Sequence, residues 1–105
     1  MNKDIHIAKK TVKTEIEALK KLSLSFNHSN FSKAVSLLYK MKGKCLVVGV
    51  GKSYLVSLKV SATLSSLGTP SVAFSANDLQ HGGLGAIQKH NDILLVFSVS
   101  GESSE

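Results

Sequence analysis

The sequence predicts an α/β fold: an incomplete doubly wound parallel sheet of three strands flanked by helices, with a pair of helices at its N-terminus. Three observations predict it. Short runs at 45–48, 71–74 and 93–97, apolar or nearly so, have the length and branched content of strands buried on both faces. The segments between them return to helical spacing or to short turns, and helices between buried strands imply parallel pairing with right-handed crossovers. The length of 105 residues is that of one small domain with a single core.

Each element has its own justification. Apolar residues recur at Ile5, Ala8, Val12, Ile16, Leu19, Leu22 and Phe26, the steps of three and four of an amphipathic helix. Asn27, His28, Ser29 and Asn30 read as a break, with Asn30 as the expected cap of a second helix. That helix has Phe31, Ala34, Val35, Leu37, Leu38 and Met41 on its apolar face, and Gly43 stands where a helix C′ residue is expected. The first strand follows and ends at Gly49. Residues 52–67 carry Val56, Val60, Leu64 and Leu67 on one helical stripe. Ser53, Ser57, Ser61 and Ser65 form a second, whose small side chains let a helix lie close to a sheet. Gly68, Thr69 and Pro70 end this helix. After the second strand, Asn77 or Asp78 is the expected cap of a short helix or turn. Asn91 and Asp92 turn the chain into the third buried strand, Ile93 to Phe97.

Charge and composition exclude several classes of function. The net charge of +6 is uneven: residues 1–44 hold ten lysines against three acids, and residues 45–105 hold three lysines against four. All thirteen basic residues are lysine, whereas arginine supplies most bidentate contacts to bases and phosphates. No aromatics interleave with the lysines outside the apolar pattern. A solvated helix face is therefore expected, not a nucleic-acid surface. No apolar run is long enough to span a membrane, and the N-terminus has no apolar region of a signal peptide. The single cysteine, Cys45, excludes an internal disulfide and reads as inert core. No pair of histidines or carboxylates has metal-ligand spacing on one helix face, so no metal is expected. These features point to a cytoplasmic protein.

Two loops at strand C-termini, where ligands bind in such sheets, look specialised. The first is Gly49, Val50, Gly51, Lys52, Ser53, Tyr54. A phosphate-binding Walker loop needs a glycine at position 46, which is leucine. A dinucleotide fingerprint needs a third glycine at position 54, which is tyrosine. What remains is a glycine turn with a lysine at a helix N-terminus, suited to a phosphate or sugar phosphate. A tight strand-to-helix turn with an exposed lysine is the alternative. The second loop, Ser98, Val99, Ser100, Gly101, Glu102, Ser103, Ser104, Glu105, clusters hydroxyls and backbone N–H groups that suit phosphate oxygens. The alternative there is an ordinary polar terminus. Between the loops lies His81, followed by Gly82 and Gly83. His6, His28 and His90 have no partner pattern.

Taken in order, the segments GVGKS, SLGTPSVAF, HGGLG and SVSGESSE resemble the sugar isomerase (SIS) domain family, most narrowly its D-arabinose-5-phosphate isomerases. The strong resemblance covers residues 43–105, read as the N-terminal half of a SIS domain, after an N-terminal helical segment at 1–42. It implies sugar-phosphate binding and aldose–ketose isomerisation of ribulose 5-phosphate and arabinose 5-phosphate, without a cofactor, in the supply of Kdo for lipopolysaccharide. By the same resemblance Lys52, His81 and Glu105 are the catalytic candidates. Lys52 would face the sugar oxygens or the charge of the intermediate, His81 the ring or hydroxyl protons, and Glu105 would serve as acid or base, kept ionised by a neighbouring lysine. Gly51, Ser53, Ser98, Ser100, Gly101 and Ser103 would hold the phosphate.

The sequence departs from the family pattern at several places. Val99 stands where asparagine is usual, Gly83 where an acid is usual, and Tyr54 where a small residue is typical. The loop at 88–91 is one residue longer. The family's domain continues for about as many residues again, and many members add CBS domains. The expectation is therefore a truncated form with weak or no isomerase activity alone, its third strand an uncovered edge. A homo-oligomer, or a complementary chain supplying the missing half, is the expected partner besides the sugar phosphate. The alternative is a non-catalytic sugar-phosphate-binding module or an assembly fragment that dimerises through its N-terminal helices.

Overall fold

The computed structural model describes residues 2–26 and 28–99, with only the backbone of His28. The element order is α1 (Asn2–Ser25), α2 (His28–Lys40), β1 (Cys45–Gly49), α3 (Lys52–Ser66), β2 (Ser71–Ser75), α4 (Ala76–Gln80), a single 3₁₀ turn (Gly83–Ala86) and β3 (Ile93–Phe97). Two compact units result, Met1–Ala34 and Val35–Glu105.

The first unit is α1 with the opening turns of α2. No residue of α1 is buried. The second helix starts at His28, so Asn30 lies inside its first turn and is not its cap. Phe26, two residues before the helix, meets Phe31, its fourth residue, edge-on at 5.1 Å between ring centroids. This is the spacing of a hydrophobic staple, and it fixes the chain's entry into the helix in place of the expected asparagine cap.

The second unit is built on a parallel sheet of order β2-β1-β3. β1 is central and buried along its whole length, as its unbroken apolar run predicts. Cys45, Leu46 and Val47 are completely inaccessible. Burial pushes the Cys45 thiol pKa up, opposed in part by its hydrogen bond with Ser71. The expected third buried strand is corrected: β3 alternates half-buried and exposed residues. Leu94 and Val96 are 49% and 57% exposed, and the register sets them beside Leu46 and Val48 of β1. That face of β3 carries no covering helix among the described residues.

Against β1 and β2 lies α3. Its serine stripe faces inward: Ser57 and Ser61 are buried, while Val56 and Leu67 of the other stripe are exposed. Each buried hydroxyl is satisfied within the helix, Ser57 donating to the Ser53 carbonyl at 2.8 Å and Ser61 to that of Leu58 at 3.1 Å. The helix ends in a Schellman motif. The Thr69 N–H donates to the Leu64 carbonyl at 2.8 Å and the Gly68 N–H to that of Ser65 at 3.1 Å, with Gly68 at φ 97°.

At the N-terminal ends of the strands, Asp92 ties β1 to the turn before β3. Its carboxylate accepts from the Lys44 and Gln88 backbone N–H groups at 2.8 and 2.7 Å and from Lys44 Nζ at 2.8 Å. The same Nζ donates to the Ala86 carbonyl at 2.7 Å. The hydrogen bond from the Lys44 side chain, then those from the two amides, hold the Asp92 pKa down at about 2. Gly43 belongs to this knot and is not a helix C′ residue, since α2 ends at Lys40. Its N–H donates to the Asn91 carbonyl at 2.8 Å, and a side chain there would collide with Asn91 and Asp92.

Candidate functional site

Parallel strands point all their C-termini to one edge, and the register makes this edge even. Gly49, the last residue of β1, is level with Ser75 of β2 and Phe97 of β3. The turn with Lys52, the segment with His81 and the pair Ser98 and Val99 therefore leave the sheet at one edge, with the Lys52 turn central. The turn at residues 49–54 and the first two residues of the second loop, Ser98 and Val99, follow adjacent strands, as a ligand site at a strand edge requires.

The central turn is built by two glycines with different duties. Gly49 lets α3 approach β1, because a Cβ there would lie 2.5 Å from the Ser53 carbonyl carbon and oxygen. Gly51 holds φ 57° as the N-cap of α3 and offers no side chain to its amides. The tightening of this first turn shows in the Ser53 N–H donating to Val50 and the Tyr54 N–H donating to Gly51, each at 3.0 Å. Lys52 is the first residue of the helix and is exposed, and Ser53 is half-buried beside it. A fifteen-residue helix without a side-chain cap, with a lysine on its first turn, favours an anion by its dipole, its amides and the ammonium together.

His81 is placed by β2 and α4. The Ser75 hydroxyl caps α4 by accepting from the Asp78 N–H at 3.1 Å, which corrects the expected caps Asn77 and Asp78. The spacing of Ser75 and Asp78, that of a capping box, is the signal for it in the sequence. His81 closes the helix, its N–H donating to the Asn77 and Asp78 carbonyls at 3.1 and 3.2 Å, and its side chain is exposed. Gly82 follows at φ 126°. Gly83 packs closely: a Cβ there would sit 3.0 Å from the Asp78 carbonyl oxygen and 3.2 Å from the Phe74 ring.

Ser98 follows β3 directly. Ser100, Gly101, Ser103 and Glu105 lie outside the described residues. By topology the Gly51, Lys52 and Ser53 turn and Ser98 follow adjacent strands at one edge, while His81 stands six residues beyond the end of β2, after α4. A cavity of about 600 Å³ among Leu37, Lys40, Lys42, His90 and Ile93 lies at the other end of the sheet. No three His, Cys, Asp or Glu side chains cluster as a metal site among the described residues. No described helix is long and apolar enough to cross a membrane.

Comparison with known proteins bears on the family and the fold. The family model described as the SIS domain matches residues 37–105. The arabinose 5-phosphate isomerase KdsD of Pseudomonas aeruginosa is 42% identical over 96% of this chain, and that of Francisella tularensis 38% identical over 100% of this chain. The chain spans 30% and 32% of these two relatives. Among solved structures, an E. coli CFT073 protein in complex with arabinose 5-phosphate superposes with a TM-score of 0.85 at 33% identity, over 95% of this chain and 52% of that one.

Proposed function

The chain belongs to the SIS domain family, and from that premise we propose that it binds a sugar phosphate at the C-terminal edge of its sheet and contributes to aldose–ketose isomerisation between D-ribulose 5-phosphate and D-arabinose 5-phosphate. One observation carries the reading: the uncapped N-terminus of α3, with Gly51, Lys52 and Ser53, opens at the shared edge of β1 and β3. The similarity to arabinose 5-phosphate isomerases and to a protein solved with arabinose 5-phosphate supports the choice of sugar.

The proposed site divides anion binding from proton transfer. The amides of Gly51 and Lys52 at the start of α3, the Ser53 hydroxyl and the segment with Ser98, Ser100, Gly101 and Ser103 hold the phosphate. Glu105 takes the proton from the carbon beside the carbonyl. The electron pair left behind forms the enediolate, and the proton returns to the neighbouring carbon. Lys52 offsets the negative charge that develops on the sugar oxygens, and His81 exchanges the hydroxyl protons. Hydrogen shifts within the sugar, so the reaction is redox-neutral overall and no cofactor is required. Residues 43–105 supply half of a SIS domain and residues 1–42 a helical segment before it. The 105 residues alone bind the sugar phosphate and turn it over weakly or not at all.

Thermal unfolding with and without ligand tests this. At a hundredfold excess over Kd a ligand adds about 2.7 kcal/mol to folding, a rise of roughly 10 °C or more for a domain of this size. Arabinose 5-phosphate is expected to give that rise and arabinose to give none. Equal effects of the two, or no effect of either, would overturn the proposal. Turnover of ribulose 5-phosphate at the rate of a complete isomerase would contradict the division of the domain.

A further inference from the structure

Neighbouring residues in the first turn of α3 stand on opposite flanks of the helix, and the second of them is a tyrosine. The serine stripe of α3 advances about 40° with each member, because four residues exceed one turn. Ser57 and Ser61 are its buried middle, so Ser53 and Ser65 lie on opposite sides of the inward line. Ser65 marks the β2 flank. Its hydroxyl donates to the Ser71 carbonyl at 3.1 Å and accepts from the Ser71 N–H at 3.2 Å, at the start of β2. Ser53 therefore turns toward β1 and, beyond it, β3. Tyr54 precedes Ser65 by eleven residues, about three turns, and so shares its flank. Those residues rise about 16 Å along the helix, and Ser71 to Ser75 extends about 13 Å along β2. Tyr54 thus stands at the level of the strand ends, on the side where β2 leaves the sheet. Helical side chains lean toward the N-terminus, which carries the Tyr54 hydroxyl outward past the strand ends. The residue is half-buried. Its hydroxyl makes no hydrogen bond among the described residues, where no buried side-chain oxygen lacks a partner, so the hydroxyl is open to solvent.

We infer that Tyr54 is a specificity-determining residue of the sugar-phosphate site, its hydroxyl bonding the 2-hydroxyl of arabinose 5-phosphate; the inference rests on the site proposed above. With the phosphate between the Ser53 flank and Ser98, the ligand starts in the gap between β1 and β3. From that gap to β2 is one and a half strand spacings, about 7 Å. A pentose 5-phosphate has its phosphate at one end and its C1 and C2 oxygens at the other. Laid along the strand edge toward β2, it brings C2 beside Tyr54 and passes Lys52 on the way. The oxygen on C2 is a hydroxyl in arabinose 5-phosphate and the carbonyl oxygen in ribulose 5-phosphate. A tyrosine hydroxyl accepts from the first and donates to the second, so one side chain serves both sugars without moving a proton of its own. Position 54 is also where this sequence carries a large residue in place of a small one. A site that bonds a sugar hydroxyl rejects the analogue lacking it, because the site's own polar group is then left without that partner.

Calorimetric titration of the full chain tests this with two probes: arabinose 5-phosphate, and 2-deoxyribose 5-phosphate, which is the same sugar phosphate without its 2-hydroxyl. Thermal unfolding checks that the variant is folded. The parent is expected to bind arabinose 5-phosphate about tenfold more tightly than the deoxy sugar, a difference of about 1.4 kcal/mol and the size of one hydrogen bond. Tyr54→Phe keeps the ring and removes the hydroxyl. It is expected to weaken arabinose 5-phosphate about tenfold, to leave the deoxy sugar unchanged, and so to abolish the discrimination. A ring that only supports the fold would move both probes together, and that result would overturn the inference. So would a parent that binds the two probes equally, or a Tyr54→Phe variant that discriminates as the parent does; in both cases the strand-edge site stands. A parent that binds neither probe would overturn the site itself and this inference with it.

Discussion

Replacing Gly49 by alanine adds one methyl group and is expected to destabilise the protein out of proportion to its size. The new Cβ would lie 2.5 Å from the carbonyl carbon and oxygen of Ser53 and 2.8 Å from the Tyr54 nitrogen. Ordinary contact begins near 3.4 Å, so the first turn of α3 has to retreat by about 0.9 Å. All three atoms are backbone, and no side-chain rotation relieves the clash. Overpacking of this kind costs about 1–3 kcal/mol, and a backbone clash belongs at the upper end, about 3 kcal/mol. For a domain near 100 residues that lowers the unfolding midpoint by about 12 °C or more. Urea denaturation gives the free energy, and Gly85→Ala is the control, since nothing lies within 4 Å of its Cβ. The control is expected to be neutral or to gain up to about 1 kcal/mol from a stiffer unfolded chain. The retreat also moves the amides of residues 51–53, so sugar-phosphate affinity falls in the folded fraction. A loss below about 1 kcal/mol in Gly49→Ala would refute the reading that β1 and α3 touch through a missing side chain.

Three further outcomes follow from the same structure. Because the folded pKa of Asp92 is about 2, below the ordinary 3.8, its contribution is complete above pH 3.8 and is lost as the pH falls toward 2; melting curves from pH 5 to 2 should show this acid loss in the parent and flatten it in Asp92→Asn. Lys52→Ala, at an exposed position, should leave stability within about 0.5 kcal/mol while removing the stabilisation by arabinose 5-phosphate, both read from thermal unfolding. Ser57→Val should cost about 1–3 kcal/mol, since it enlarges a side chain already fully buried between α3 and the sheet, whereas Val56→Ser on the exposed face should change monomer stability by no more than about 0.5 kcal/mol, measured by urea titration.

The parallel order and the place of the site were legible because β1, buried on both faces, wrote an unbroken apolar run, and because glycine and lysine at 49–52 mark a strand-to-helix turn. The direction of α3 was legible from small size: serines 57 and 61 face the sheet although Val56, Val60 and Leu64 are the more apolar stripe. Close approach decided the packing, and hydrophobicity alone would have reversed it. The exposure of β3 is less readable from its own residues, since Leu94 and Val96 have the composition of a buried strand whether or not a helix covers them. The Lys44–Asp92 knot and the Gly43 contact join positions some 48 residues apart, a separation that periodicity does not reach. The caps of α2 and α4 escape the sequence for a local reason: several Asn, Ser and Asp residues compete for each role, and an aromatic staple and Ser75 win.

The location of the ligand is tested most directly by amide spectra of the ¹⁵N-labelled chain titrated with arabinose 5-phosphate. Saturable shifts are expected at Gly51, Lys52, Ser53, His81 and Ser98, with Lys42, His90 and Asn91 at the opposite end of the strands unmoved. No saturable shift, or shifts gathered around Lys42 and His90 instead, would contradict a sugar-phosphate site at the C-terminal edge of the sheet.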